Sequence, residues 1–408
     1  MQDKETVTAE MVNGGTPVAD SRIADVEAYW LRCPIPIEKQ HVSDFGRLEH
    51  FDMTLVVVTT EDGRRGYGEA KAAVGSAGAC ASLVACIRHE LRPFLIGQDV
   101  RNITRLWELM YNGTRGHYAL ERGRGFPILG RRGLTISAMS GVDMALWDLL
   151  GKSLNVPVVQ LLGGACRDEM PAYASGGWAN AERIGEQLAG YTAHGFKAVK
   201  MRVGVMDGDV ETSAARVRAA REYLGPDIEI MVDAHGTFSV PEAKRFCRLV
   251  EDCGLYWFEE PVNSDNRQGM AEVRAATSIP IAAGESEFTR FDIRDLIEAR
   301  ALDVVQPDTA IIGGITETVR VAQLAHTYGL ALAPHLWGSA FSFMAGLHVA
   351  FASPAATILE FSLGGNPMLH DLVEERIAAE NGSMRVPERP GLGVTPRQAF
   401  IDEFNVPV

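Results

Sequence analysis

From about residue 170 the chain settles into one rhythm, a short apolar strand followed by a helix, over and over. The strands read "MPAYASGG", "AVKMRVG", "EIMVDAHG", "YWFEEPV", "IPIAAGE", "VVQPD", "ALAPH" and "TILEF". The helices between them include "AERIGEQLAGYTAHG", "VETSAARVRAAREYLG", "PEAKRFCRLVEDCG" and "ITETVRVAQLAHTYG". Several close on glycine, which tolerates the left-handed turn at a helix C-terminus. Eight strands in such alternation predict a parallel barrel rather than an open sheet. The competing doubly wound fold would carry GxGxxG after a strand, and no strand here is followed by one.

The residues before the barrel have a different grammar. "IADVEAYWLRCPIP" and "DMTLVVVTTEDGRRGYGEA" read as strands, the second broken by an Asp-Gly turn. From about 82 to 152 the pattern turns helical, and Ile136, Met139, Val142, Leu146 and Leu149 recur at three- and four-residue intervals. Strands followed by helices predict a small α+β domain. The expected organisation is a loose leader over 1–21, an α+β domain over 22–165 and a barrel over 166–372. A Pro/Gly-rich tail over 373–408 should pack back on the first domain. The basic, Gly-rich stretch "RGHYALERGRGFPILGRRG" (115–133) reads either as a solvated loop or as a flap carrying arginines towards an acidic substrate.

The formal net charge of −14 argues against nucleic acid or an anionic membrane as partner. The polar N-terminus "MQDKETVTAEMVNGGTPVADS" reads neither as a signal peptide nor as a membrane anchor. Cys33, Cys80, Cys86, Cys166, Cys247 and Cys253 form no CxxC pair and no zinc spacing. They read as buried apolar residues of a reducing compartment, and a cytoplasmic enzyme is the expectation.

In a barrel the C-terminal strand ends carry the chemistry. Asp233, Glu259 and Glu285 end three successive strands, each 26 residues from the next. One βα unit separates them, so all three acids reach the same rim. Any one alone would serve as a helix cap or a solvated charge. Together they repel and call for a cation, and an all-oxygen set suits Mg²⁺ first and Mn²⁺ second. Asp308 and His335 end the next two strands, close enough for the carboxylate to orient the imidazole. Taken singly, Asp308 also reads as an N-cap and His335 as a core histidine. In "AVKMRVG", Lys200 and Arg202 share one face of strand two, because Val199, Met201 and Val203 take the other. His235 lies two residues past Asp233, either on its face or turned to water. Glu360 on strand eight is a further inward candidate, or a structural carboxylate. Glu69 in "GYGEA" carries no assignable role.

This constellation resembles the enolase superfamily, and within it the mandelate racemase-like subgroup. "SAMSGVDMALWDLLGKSLNVPVVQLLGG" (137–164) is similar to the family's first signature. "KMR", "VDAH", "FEEP", "AGES", "QPD" and "PH" follow in family order, so the likeness spans nearly the whole chain. The resemblance implies a modified (β/α)7β TIM-type barrel under an N-terminal α+β capping domain. It implies Mg²⁺ on Asp233, Glu259 and Glu285, and Asp308–His335 as an acid/base pair facing the strand-two cations. It implies that Lys200 and Glu360 contact a substrate carboxylate, and that the 33–51 loop and the 115–133 flap set specificity. It also implies a homo-oligomer, dimer or octamer, acting on a small carboxylate by removing the proton α to it.

Two positions depart from the commonest family pattern. Strand two carries K-x-R where K-x-K supplies a second base. A guanidinium with a pKa above ~12 is a good anion clamp and a poor base. Strand three carries D-x-H where mandelate racemase has D-x-N, and members similar to galactonate and mannonate dehydratases use that histidine in dehydration. A racemase needs a base on each face of the α-carbon, whereas dehydration needs one base and one acid. The expectation is therefore an acid sugar dehydratase acting on an aldonate or aldarate. His335 would be the base and His235 the acid, giving a 2-keto-3-deoxy acid. A racemase, epimerase or lactone cycloisomerase is the alternative, and a non-catalytic ligand-binding member the second.

Overall fold

The computed structural model describes residues 21–37, 40–43, 46–71, 79–123 and 132–408. The leader, apart from Ser21, lies outside them, as do 124–131 of the Gly-rich stretch and parts of the 33–51 loop. The described start of the Gly-rich stretch is not loop: Gly116–Arg122 is a short helix, ended by Gly123 in the left-handed conformation.

Eight parallel strands form the barrel: Glu169–Gly176, Ala198–Arg202, Glu229–Asp233, Leu255–Glu259, Ile281–Ala283, Val304–Val305, Ala331–Leu332 and Leu359–Ser362. They are strands one to eight below. Neighbours pair in chain order, and strand eight returns to strand one from Leu359↔Ala172 to Ser362↔Ser175. A parallel bridge between Leu332 and Ala356 closes the ring. A helix follows each of the first seven strands, as the (β/α)7β expectation requires. Strands six and seven have short ladders because Pro307 and Pro334 bring no N–H. The pairing resumes one residue later, where Asp308 bridges His335.

Period-two alternation sets the layers of the barrel interior. Tyr173, Ala198, Met231, Trp257, Ala282, Val304, Ala333 and Ile358 form a dry floor, one residue from each strand or its immediate end. Two positions further along, the same inward face carries Ser175, Lys200, Asp233, Glu259, Gly284, Gln306, His335 and Glu360. The floor excludes water from below, and the layer above it is polar on seven strands. On strand five that position is Gly284, and the carboxylate comes from the next residue, Glu285.

The capping domain is an antiparallel sheet ordered Asn405–Val406, Ile23–Pro34, His50–Thr60, Arg65–Ala70. Its first strand in this order comes from the C-terminal tail, which pairs Trp30 with Val406. On one face Val26, Ala28, Val56 and Val58 pack with the helix Leu134–Leu154, whose Ile136, Met139, Val142, Leu146 and Leu149 all enter that core. Burying each such side chain contributes about 1.5–3 kcal/mol. On the other face Leu31, Leu55 and Val57 join the core that runs between the barrel and its helices. The alternate glycines of "RGYGEA" let the last cap strand lie against this helix. A Cβ on Gly66 would strike the Ala145 carbonyl, and one on Gly68 the Gly141 carbonyl.

Cys33, Cys80, Cys86, Cys247 and Cys253 are buried and unpaired. Cys166 differs. It is exposed in the linker from cap to barrel, where the Gly163–Gly164 turn carries the chain over the surface. Among the described residues no helix is long and apolar enough to cross a membrane.

Candidate active site

Register brings the acids together. Arg202 pairs with Asp233 across strands two and three, and Asp233 with Glu259 across strands three and four. Asp233, Glu259 and Glu285 are buried, and one oxygen from each lies within 4.8 Å of the others. Lys200, also buried, reaches into the group. Its Nζ is 2.6 Å from Glu259 Oε1, 3.2 Å from Glu360 Oε1 and 3.4 Å from Asp233 Oδ2. Trp257 Nε1 and Gln306 Nε2 donate to the other Glu259 oxygen at 3.0 and 2.8 Å. Arg202 ion-pairs with Asp233 and stacks over the Trp178 ring.

The electrostatics follow from this packing. Burial opposes charge on Asp233, yet Arg202, His235 and Lys200 together hold it below the usual carboxylate range. Burial, followed by the Asp233 carboxylate, lifts Glu259 to about 8. Burial opposes charge on Glu360 too, and Lys200 then His335 bring it down to about 2. Glu360 thus pairs with Lys200 across the mouth of the barrel.

On strands six and seven, His335 Nδ1 stands 2.7 Å from Asp308 Oδ2. Its Nε2 faces the mouth, 3.6 Å from Glu285 Oε2 and 3.9 Å from Glu360 Oε2. Burial disfavours the imidazolium, but Glu285, Glu360 and the Asp308 hydrogen bond outweigh it and raise His335 to about 8. His235 does not turn to water: its side chain is 5 % exposed, with Nε2 3.8 Å from Asp233 Oδ2. Strands three and seven are opposite in a ring of eight, so His235 and His335 sit on opposite sides of the mouth.

The residues present fit a divalent cation. The donors are all oxygens, and Glu285 Oε2 is buried without a hydrogen bond among the described residues. The carboxylates of Asp233, Glu259, Glu285, Glu360 and Asp308 face the cations Lys200, Arg202 and Lys71.

Sequence reasoning missed three residues. Gln306 was within reach, since counting by two from Val304 puts it on the inward face. Glu260 is buried beside the acids, and burial, then Glu285, pushes its carboxyl well up. Lys71 enters from the capping domain and ion-pairs with Asp308 at 2.6 Å. Nothing in its local pattern announces this.

A (β/α)7β barrel with a three-acid centre and a carboxylate–imidazole pair on one rim, under an α+β cap, defines a class of enzyme that removes a proton from carbon. The comparisons give the family. Residues 27–163 match the mandelate racemase / muconate lactonizing enzyme N-terminal domain, and residues 183–400 match the enolase C-terminal domain-like family. The chain belongs to the mandelate racemase / muconate lactonizing enzyme family of the enolase superfamily. It is 38% identical over 362 residues to D-galactonate dehydratase of Ralstonia nicotianae, covering 85% of this chain and 89% of that one. It is 33% identical over 376 residues to D-galactarolactone cycloisomerase of Agrobacterium fabrum, covering 89% and 93%. Among solved structures it is similar to a racemase from Streptomyces coelicolor A3(2) with bound magnesium. There the TM-score is 0.81 at 30% identity, covering 94% of this chain and 100% of that one.

Proposed function

We propose that the chain is an acid sugar dehydratase that removes the C2 proton and the C3 hydroxyl of an aldonate or aldarate, giving a 2-keto-3-deoxy acid. Similarity alone does not choose the reaction, because relatives named as dehydratase, cycloisomerase and racemase all cover most of the chain. The observation that carries the choice is Arg202. It is ion-paired with Asp233 and cannot give up a proton, so strand two offers no second base.

The remaining groups divide the work. His335 Nε2 takes the α-proton, and Asp308 orients the ring and stabilises the imidazolium. His235, across the mouth, donates the proton that lets the β-hydroxyl leave as water. The resulting enol becomes the 2-keto acid on protonation at C3. Lys200 and Arg202 add positive charge where the enolate carries its negative charge. Asp233, Glu259 and Glu285 would hold Mg²⁺, or Mn²⁺ in its place, which when bound supplies further charge opposite the substrate carboxylate oxygens.

The test is a panel of four- to six-carbon aldonates and aldarates with Mg²⁺, assayed for 2-keto acids. Product from at least one member, abolished in His335→Asn, is the expected result. No keto acid across a complete panel would overturn the reading. Deuterium uptake into recovered substrate, again with no keto acid, would give the racemase or cycloisomerase alternative, with His235 serving the second face.

A further inference from the structure

Lys71 belongs to the capping domain, but its ammonium ends inside the barrel. Nζ donates to Asp308 Oδ2 at 2.6 Å and to the Trp337 carbonyl at 2.5 Å. Asp308 is fully buried, and its other contacts are few. Oδ2 also meets His335 Nδ1 at 2.7 Å, and Oδ1 accepts from Ala310 N at 2.8 Å. The backbone adds to the grip, because Lys71 N donates to the Ala310 carbonyl at 3.1 Å. Two residues earlier on the same strand face, Glu69 Oε2 accepts from Ser339 N at 2.9 Å. Residues 69–71 therefore hold both loops that carry the pair, one after strand six and one after strand seven.

We propose that Lys71, seated by Glu69, is a positioning residue for proton transfer: it fixes the Asp308 carboxylate and thereby the tautomer and aim of His335. A buried carboxylate facing only a neutral imidazole would lack compensation, and its ready escape is to take up a proton. A protonated Asp308 would no longer accept from His335 Nδ1–H, and Nε2 would lose its fixed role as acceptor towards the mouth. The ammonium prevents this by supplying the missing charge at the oxygen that His335 uses. Because Lys71 arrives from the cap, the pair is complete only when the cap is seated. The last cap strand lies tight on the helix Leu134–Leu154, which docks on the turn after strand six. There Ser140 Oγ accepts from Gly313 N and Asp143 accepts from Thr316 N, at 2.8 and 2.9 Å.

This inference rests on reading His335 as the base, and the test separates the two. The full-length Mg²⁺-loaded protein is labelled with ¹⁵N-histidine, and the His335 ring signals are assigned by their loss in His335→Asn. Lys71→Met should move those signals and speed solvent exchange of the Nδ1 proton at least tenfold, while Lys71→Arg should restore both towards wild type. On whichever panel acid is turned over, Lys71→Met should lower kcat about 100-fold with KM within about threefold, a loss of the size general-base catalysis supplies. If circular dichroism shows Lys71→Met unfolded, Lys71→Gln, which keeps a donor for Trp337 but no charge, faces the same measurements. A folded, uncharged variant with unchanged His335 signals would overturn the role of Lys71. Turnover surviving in His335→Asn would instead remove the reading of His335 and leave the ring measurement to decide on Lys71.

Discussion

The two arcs of the barrel mouth are built in opposite ways. The acidic arc on strands three to five comes from one domain, one residue at or just past each strand end, set by the parallel pairing of those strands. The Asp308–His335 arc on strands six and seven stands where prolines interrupt the ladder, and a lysine from the other domain pairs with its carboxylate. On the proposed function, metal binding by the first arc and proton transfer by the second should be separable: the first would depend on the paired strands, the second on how the cap meets the barrel.

Substitutions can break the comparison at either arc. The largest effect is expected from Glu285→Gln. Among the described residues Glu285 Oε2 makes no hydrogen bond, so the variant should fold normally, yet lose Mg²⁺ binding by calorimetry and with it all measurable turnover. Next comes His335→Asn, which should cost about 10²–10⁴-fold in α-proton exchange, measured by NMR in D₂O. Its Mg²⁺ affinity should stay within a few-fold of wild type. A joint loss of metal and exchange in that variant would mean the two arcs are not independent.

Arg202→Lys should act more subtly, across the border between the arcs. A lysine there can shed its proton, so recovered substrate should gain deuterium at C2 or appear as the epimer. Wild type should show neither in excess of keto acid, and an unchanged product pattern would remove Arg202 as the determinant.

The smallest effect concerns neither arc. His348 is fully buried, accepts from Val159 N at 3.1 Å, and is held down to about 4 by that burial. Its folded pKa is depressed, so its stabilising contribution is present above the unfolded value of about 6.5 and lost as pH falls through about 4. Thermal melts of wild type should drop by some degrees more over that interval than those of His348→Gln, while Mg²⁺-dependent turnover at neutral pH stays alike.

The same contrast explains what could be read from the sequence. The βα unit repeats, so Asp233, Glu259 and Glu285 announce themselves by equal spacing, and Asp308 and His335 by ending the next two strands. The strand pattern placed Lys200 inward, where it lies among Glu259, Glu360 and Asp233. Gln306 follows the same rule and needed only one more count along strand six. Contacts between domains obey no such repeat. Glu69 lies in an ordinary cap strand and Lys71 just past its end, and only the docking of that strand on the turns after Asp308 and His335 gives them partners. His235 depended on a local turn. Its backbone φ of 45° swings the ring back towards Asp233, which alternation alone does not foretell.

The central claim is that one base, His335, acts opposite an acid and not opposite a second base. The most direct measurement is ¹H NMR of the Mg²⁺-loaded enzyme in D₂O with the aldonate and aldarate panel. The account predicts a 2-keto-3-deoxy acid from at least one substrate, and none from the His335→Asn variant. Deuterium at C2 of recovered substrate with no keto acid from any panel member would contradict it.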